Sequence, residues 1–140
     1  MIHNNRPKKI NLEGLKLQRT GLRGRKMKVT NTMLDLIGNT PLMRLNKVTE
    51  GIEADVFAKA EFLNPSGSIK DRIALKMIEQ AEKDGRLKPG YTIVEASSGN
   101  TALALALVGS IKGYRVKVYF PSTLSEEKVT MLQRYGAETE

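Results

Sequence analysis

The sequence predicts an α/β fold in which a parallel sheet carries helices on both faces, giving three layers. From residue 33 onward, short β-branched runs alternate with helical runs, and turns containing Gly or Pro separate them. One of the helical runs, residues 102–111, is apolar on nearly every side and should therefore be buried. Strands that alternate with helices in this order are typical of parallel sheets.

The first elements in chain order are short. Residues 33–37 predict a turn or short helix, residues 40–45 an extended segment and residues 54–60 a strand. A helix is then predicted over residues 69–84, with a stop at Gly85. Its apolar face should lie on a sheet, and it consists of Ile69, Ile73, Ala74, Met77, Ile78 and Ala81.

The second half of the chain continues the alternation. Residues 91–96 predict a strand by their β-branched and aromatic content, and the apolar helix 102–111 follows. Residues 115–120 predict the next strand and residues 126–135 the next helix. The last residues, 137–140, predict the beginning of a further strand, so we expect the sheet to continue beyond them.

Composition excludes several kinds of chemistry. The 140 residues contain no cysteine and one histidine, His3, which lacks neighbouring ligand residues. We therefore expect no disulfide, no cysteine nucleophile and no metal site. No apolar run of about 18 residues and no secretion signal are present, so we expect no membrane segment and a cytoplasmic location.

The positive charge of the chain is confined to its start. Residues 1–32 contain nine of the 23 Lys and Arg but only one of the 15 Asp and Glu. The remaining 14 basic and 14 acidic residues cancel. We interpret residues 1–32 as a basic, disordered tail and residues 33–140 as the folded domain. The tail also resembles an organelle transit peptide or an arm that binds nucleic acid, and both alternatives remain open.

The segment 64–72 places a lysine at the start of a helix. A turn containing Pro and Gly leads directly into the predicted helix, and Lys70 falls in its first turn. We expect Ser68 to cap this helix by accepting a hydrogen bond from the backbone of Asp71. Lysine forms Schiff bases with carbonyl compounds, but a solvated lysine has the same pattern, so this segment alone is ambiguous.

The segment 97–101, Ser-Ser-Gly-Asn-Thr, follows a strand and opens a helix. Its backbone N–H groups, hydroxyls and amide form a suitable site for a carboxylate or phosphate. The alternative is a polar turn whose hydroxyls only cap the following helix. Because ligands bind at the carboxyl ends of parallel strands, we expect the segments 64–72 and 97–101 to face each other across a few ångströms.

Taken together, these two segments resemble the cysteine synthase and cystathionine β-synthase family of pyridoxal-phosphate enzymes, which are of fold type II. The resemblance extends from Met33 to Glu140 and implies the N-terminal portion of a tryptophan-synthase-β-like fold. The motifs that carry it are Leu36–Leu42, Pro65–Arg72, Leu87–Gly90, Ser97–Thr101 and Tyr135–Glu138.

The resemblance implies a role for each matching residue. Lys70 matches the lysine that binds pyridoxal 5'-phosphate covalently and later moves the Cα proton of the substrate. Asn100 matches the residue that hydrogen-bonds the ring hydroxyl oxygen of the cofactor, and Asn64 matches a position beside the cofactor. The residues that match the loop around the α-carboxylate of the substrate are Ser97, Ser98, Gly99 and Thr101.

The implied reaction is β-replacement on O-acetylserine or serine by a sulfur nucleophile, giving cysteine. Cystathionine β-synthase activity is the alternative within the family, and the family also implies a homodimer. The glycine-rich phosphate cup of the family belongs to a C-terminal domain that residues 33–140 do not contain. A function of another class, a non-catalytic module that binds RNA or a partner through residues 1–32, is the remaining alternative.

Overall fold

A computed structural model describes residues 29–140, so almost all of the predicted basic tail, residues 1–32, lies outside the described residues. None of the helices in this part of the chain has the length and apolar character that crossing a membrane requires. Within residues 29–140, three short 3-10 helices cover Met33–Leu36, Lys47–Thr49 and Glu61–Leu63. The longer elements are strands β1 (Leu42–Arg44), β2 (Phe57–Lys59), β3 (Thr92–Ala96), β4 (Arg115–Tyr119) and β5 (Ala137–Thr139) and helices α1 (Lys70–Lys83), α2 (Asn100–Ile111) and α3 (Glu126–Arg134).

The predicted α/β class and parallel sheet are confirmed. Strands β3, β4 and β5 form a three-stranded sheet in that order, and both pairs are parallel. The register places Ile93 opposite Val116 and Val116 opposite Ala137. These three side chains therefore point to one face of the sheet, because side chains alternate between faces along each strand.

Helices α2 and α3 both pack against this same face, where Val116, Val118, Leu132 and Ala137 form one buried cluster with α2. On the opposite face Val94 is 62% exposed. The second helical layer that we expected is thus not among residues 29–140. The reason is topological, because right-handed crossovers lie on one side of a sheet as long as the strand order advances in one direction.

The predicted strand at residues 54–60 does not belong to the parallel sheet. Only Phe57–Lys59 is extended, and it pairs with β1 in a separate antiparallel sheet of two strands, with Met43 opposite Ala58. The prediction that this strand precedes α1 in a βαβ unit was therefore wrong. A strand of three residues has little side-chain area to specify its partner, so the nearby extended segment β1 pairs with it instead.

Helix α2 is the centre of the described domain. Its eight consecutive residues from Ala102 to Gly109 are all buried, which confirms the prediction from its Ala and Leu content. The sheet covers one side, and Ala74 and Ile78 of α1 cover another through a cluster with Ala104, Leu105 and Val108. Small side chains allow this close approach of two helices.

Helix α1 consequently lies mainly on α2 rather than on the sheet. Of its predicted apolar face only Ala74 and Ile78 are buried, while Ile69, Ile73 and Met77 are 51%, 41% and 52% exposed. The contact with another helix covers a narrower stripe than the contact with a sheet would. The predicted width of the buried face was therefore too large.

The carboxyl-terminal ends of α1 and α2 are joined by an ion pair. Lys112 Nζ donates to Glu82 Oε2 at 2.8 Å, and the Tyr114 hydroxyl donates to Glu82 Oε1 at 3.0 Å. The hydrogen bond from Lys112 lowers the pKa of Glu82, while burial and then the bond to Glu82 raise the pKa of Tyr114. The two helices therefore run in the same direction, and their starts lie at the same end of the domain.

A second charged cluster, centred on Glu61, fixes the start of α1. Arg72 Nε donates to Glu61 Oε2 at 2.8 Å and Arg72 Nη2 donates to Glu61 Oε1 at 3.0 Å. The Thr40 hydroxyl and the Asn64 amide nitrogen also donate to this carboxylate. The hydrogen bonds from Arg72, and then from Thr40, lower the pKa of Glu61 from 4.5 to about 2.

Replacement of Gly109 by alanine should destabilise the domain by about 1–2 kcal/mol. A Cβ at Gly109 would lie 2.5 Å from Val116 Cγ2 and 3.2 Å from Ile93 Cδ1. This clash in the buried layer should outweigh the gain of about 1 kcal/mol in helix propensity. Urea unfolding followed by circular dichroism measures the change, with Glu79→Ala on the exposed side of α1 as the control. A Gly109→Ala chain as stable as the wild type would contradict the packing.

The stabilising effect of Glu61 should depend on pH. Its pKa is about 2 in the folded chain and 4.5 in the absence of partners, so its contribution is complete above about pH 4.5 and is lost as the pH falls towards 2. The difference in melting temperature between the wild type and Glu61→Gln should therefore be largest at neutral pH and shrink below pH 4.5. Thermal melts of both chains across this range test it, with Glu79→Gln as the control. A constant difference would contradict the assignment.

Candidate active site

The turn before α1 is held by a buried carboxylate. Asp71 is fully buried and accepts hydrogen bonds from the backbone N–H of Ser66 at 2.7 Å and from the Ser66 hydroxyl. Gly67, with φ of +87°, donates its N–H to the Asn64 carbonyl at 2.8 Å. The positive φ is why glycine is suited to this position. The first turn of α1 is thereby attached to the segment that precedes it.

Lys70 is the first residue of α1, as the sequence predicted to within one residue. Its backbone N–H donates to the Ser68 hydroxyl at 3.1 Å. The prediction that this hydroxyl accepts from Asp71 was wrong, since the backbone carbonyl of Ser68 accepts from Asp71 instead. The Lys70 side chain is half-buried and has no carboxylate partner among residues 29–140.

Asn64 is 3% exposed and its amide is engaged within the protein. The Nδ2 atom donates to the carbonyl and to Oε2 of Glu61, at 2.7 and 2.8 Å, and the Oδ1 atom accepts from the N–H of Gly38 at 2.8 Å. These contacts fix the start of the turn 64–69. The position beside the cofactor that we expected for Asn64 remains a prediction.

The segment 97–101 lies at the carboxyl end of β3, where α2 begins. The Ser97 hydroxyl accepts from the N–H of Gly99 at 3.2 Å, and the Ser97 N–H donates to the carbonyl of Tyr119 at 3.1 Å. Ser97 and Thr101 are half-buried, whereas Ser98, Gly99 and Asn100 are exposed.

Among residues 29–140, no side chain accepts a hydrogen bond from the N–H groups of the first turn of α2 after its N-cap residue, Gly99. The alternative that the hydroxyls of this segment only cap the helix is therefore not what the structure shows. The first N–H groups of the helix remain available for an anion, and the positive end of the helix dipole favours it.

Lys70 and Asn100 stand at equivalent positions on neighbouring helices. Glu82 pairs with Lys112, which lies 30 positions later in the sequence, and α1 and α2 share a buried cluster. A residue of α1 therefore lies beside the residue of α2 whose number is about 30 higher. Because both helices rise by about 1.5 Å per residue, we expect the same offset to bring Lys70 and Asn100, the first residues of α1 and α2, to about the same level at the opposite end. The two segments thus come to one end of the domain through helix packing rather than through neighbouring strands.

An open cavity of about 540 Å³ lies at the same edge of the sheet. Its walls include Ser97 and Ser98 on one side and Tyr119 and Phe120 on the other. This size is typical of pockets for small ligands. Another pocket, of about 270 Å³, lies between α1 and β3 and is lined largely by apolar side chains such as Met77 and Val94. Its position away from both polar segments makes it unsuitable for an amino-acid substrate.

Sequence reasoning did not select Glu61, Arg72, Thr40 or Gly38, although the structure brings them together beside the turn 64–69. Gly38 is close enough to Arg72 that a Cβ would lie 2.7 Å from Arg72 Nη1. The signals available were the motifs Leu36–Leu42 and Pro65–Arg72, which contain Gly38, Thr40 and Arg72, and a glutamate before the turn. Without the fold, a carboxylate and a guanidinium 11 residues apart do not indicate a pair.

The family model described as pyridoxal-phosphate dependent enzyme matches residues 33–140. Among curated proteins, the chain is 50% identical to mouse cystathionine beta-synthase over 113 residues, which is 79% of this chain and 20% of that protein. It is 49% identical to a cysteine synthase of Staphylococcus aureus over 111 residues, which is 79% of this chain and 36% of the relative. The chain thus spans a fifth to about a third of these relatives.

Solved structures agree with this similarity. The crystal structure of a cysteine synthase from Entamoeba histolytica superposes with a TM-score of 0.78 at 38% identity, covering 88% of this chain and 38% of the other. A hydrogen sulfide-producing enzyme from Fusobacterium nucleatum gives a TM-score of 0.77 at 42% identity, covering 81% of this chain and 37% of the other. The model match, the sequence identity and the shared fold together show that the chain belongs to the pyridoxal-phosphate dependent enzyme family.

Proposed function

We propose that the chain carries part of the active site of a cysteine synthase-like enzyme, which catalyses β-replacement on O-acetylserine or serine with a sulfur nucleophile. The observation that supports this proposal is that Lys70 and Asn100 are the first residues of the neighbouring helices α1 and α2, whose carboxyl-terminal ends are joined by the pair of Glu82 and Lys112. Relatives named cysteine synthase and cystathionine beta-synthase support it. Cystathionine β-synthase activity is the alternative, because the segments found here serve features common to both substrates.

The residues present fit pyridoxal 5'-phosphate. An amine that reacts with the aldehyde must be accessible and unpaired, and Lys70 is half-buried with no carboxylate partner among the described residues. Asn100 is exposed at the first turn of α2, so its amide is available to the ring hydroxyl oxygen. When bound, pyridoxal phosphate would supply an electron sink for the substrate Cα.

The roles of the side chains follow from their chemistry. Lys70 Nζ would hold the cofactor and accept the Cα proton of the substrate as a general base. The segment 97–101 would bind the α-carboxylate through the first N–H groups of α2 and the hydroxyls of Ser97, Ser98 and Thr101. Gly99, which has no side chain to obstruct the anion, would allow the backbone to approach it. In this arrangement the chain orients the substrate by its carboxylate and presents the base to its Cα.

Several wider properties remain proposals. A homodimer and a cytoplasmic location agree with the family, but they rest on resemblance alone. The division into a basic tail at 1–32 and a folded N-terminal domain at 33–140, followed in the family by a second domain, likewise stays a prediction. Binding of nucleic acid through the tail is a proposal of another class, and it concerns residues that lie almost entirely outside the described part of the chain.

Addition of pyridoxal phosphate to the chain should give a visible absorbance band from a covalent adduct with Lys70. The band should be absent in Lys70→Ala, because Lys70 is the lysine that we propose to react with the aldehyde of the cofactor. Absorbance titration measures it, and Lys76→Ala, an exposed lysine on the same helix, should retain the band. An equal band in the Lys70→Ala chain would contradict the assignment of Lys70, and no band at any cofactor concentration would contradict cofactor binding by this chain.

Replacement of Ser98 by alanine should weaken binding of the substrate carboxylate. The Ser98 hydroxyl is exposed, and a lost hydrogen bond to a charged group typically lowers affinity by about tenfold or more. Serine is titrated against the chain loaded with pyridoxal phosphate, and its half-saturating concentration is read from the change in the visible spectrum. Ser125→Ala, at the start of α3, is the matched control. Equal affinities for serine in the Ser98→Ala and wild-type chains would argue against this site for the carboxylate.

A further inference from the structure

The carboxylate of Glu61 receives four hydrogen bonds from three side chains. Arg72 donates through Nε and Nη2, at 2.8 and 3.0 Å, and forms the ion pair of the cluster. The Thr40 hydroxyl donates at 2.7 Å and Asn64 Nδ2 at 2.8 Å. Both oxygens are thus used twice, and the geometry fixes the positions of all three partners.

Two of these partners lie on either side of the reactive lysine. Asn64 begins the turn that leads into α1, and Arg72 lies two residues beyond Lys70. Because one carboxylate binds both, Glu61 holds together the two ends of the segment 64–72. The Asp71 carboxylate binds Ser66 inside the same segment, so the backbone around Lys70 is held by one acidic side chain at its ends and by another within it.

The same cluster attaches this segment to the loop before β1. Thr40 is 6% exposed, and its hydroxyl contacts both Glu61 and Arg72, accepting from Arg72 Nη2 at 3.0 Å. The N–H of Gly38 donates to Asn64 Oδ1 at 2.8 Å. The position of Lys70 is therefore fixed relative to the loop before β1 as well as relative to α1.

We infer that Glu61 is a positioning residue for Lys70. By binding Asn64 and Arg72 at once, it fixes the backbone at the start of α1 and so sets the direction of the Lys70 side chain. This inference rests on the proposed function, in which Lys70 reacts with the aldehyde of pyridoxal phosphate. Glu61 does not touch the reacting atoms. It acts through the backbone of the segment 64–72, and small misplacements of a reactive group lower its reactivity strongly.

The chain contains a matched control for this inference. Glu82 lies near the other end of α1 and also forms an ion pair, with Lys112 at 2.8 Å, and a hydrogen bond with Tyr114. Loss of either carboxylate removes a charged cluster that attaches α1 to the rest of the domain. Only the loss of Glu61 releases the backbone around Lys70. A purely structural role would give the two variants the same behaviour at Lys70.

The experiment compares the full wild-type chain with Glu61→Gln and Glu82→Gln. Each is incubated with pyridoxal phosphate and reduced with borohydride, and peptide mass mapping gives the ratio of label at Lys70 to label at the exposed Lys76. Glu61→Gln should lower this ratio by about tenfold, whereas Glu82→Gln should leave it unchanged. A milder variant, the isosteric Thr40→Val, removes one of the four bonds and should lower the ratio less, which keeps the test valid if Glu61→Gln folds poorly.

Amide hydrogen exchange without cofactor supplies the second measurement. Exchange over residues 66–74 should be faster in Glu61→Gln and unchanged in Glu82→Gln, which should affect residues 80–84 instead. An unchanged labelling ratio in Glu61→Gln and Thr40→Val would overturn the positioning role. A wild-type chain that is labelled no more at Lys70 than at Lys76 would contradict the cofactor assignment. Faster exchange at residues 66–74 in Glu61→Gln would in that case still support the role of Glu61 in fixing this segment.

Discussion

The packing of α2 between the sheet and α1 is the constraint on which the rest of the described domain depends. Eight consecutive buried residues leave this helix no exposed side along most of its length. Alanine and glycine at the contacts bring both neighbours close, and Val116 already fills the space beside Gly109. The close packing fixes how far α1 is displaced along α2, and with it the relative positions of Lys70 and Asn100, the first residues of the two helices.

Much of the fold could be predicted because its signals are local. Helix stops, β-branched runs and the uniform apolarity of α2 each depend on a few adjacent residues, and the observed bounds differ from the predicted ones by one or two positions for most helices and strands. The error concerns a pairing partner. The partner of the strand at Phe57–Lys59 depended on strand order, which local patterns do not encode.

The candidate site likewise has a part that could be predicted from the sequence and a part that could not. The segments at 64–72 and 97–101 could be found from sequence, because turn residues, helix starts and a family resemblance mark them. The hydrogen bonds of the cluster around Glu61 could not be predicted, since its four members are separated by up to 32 residues along the chain and no local pattern shows which of them pair. The N–H group that donates to the hydroxyl of Ser68 was also unpredictable, because this hydroxyl can reach more than one neighbouring N–H group.

The constant spacing of 30 residues between neighbouring positions of α1 and α2 also limits which insertions and deletions the site can tolerate. One residue inserted into either helix would rotate the part of the helix on one side of the insertion by about 100° and shift it by about 1.5 Å. Lys70 and Asn100 would then face different directions. An insertion at the exposed residues 88–90 would leave both helices in place, whereas one beside Leu87 would disturb its packing on the cluster shared by α1 and α2. The alignment of the two segments therefore depends on the lengths of α1 and α2 more than on the exposed part of the connection between α1 and β3.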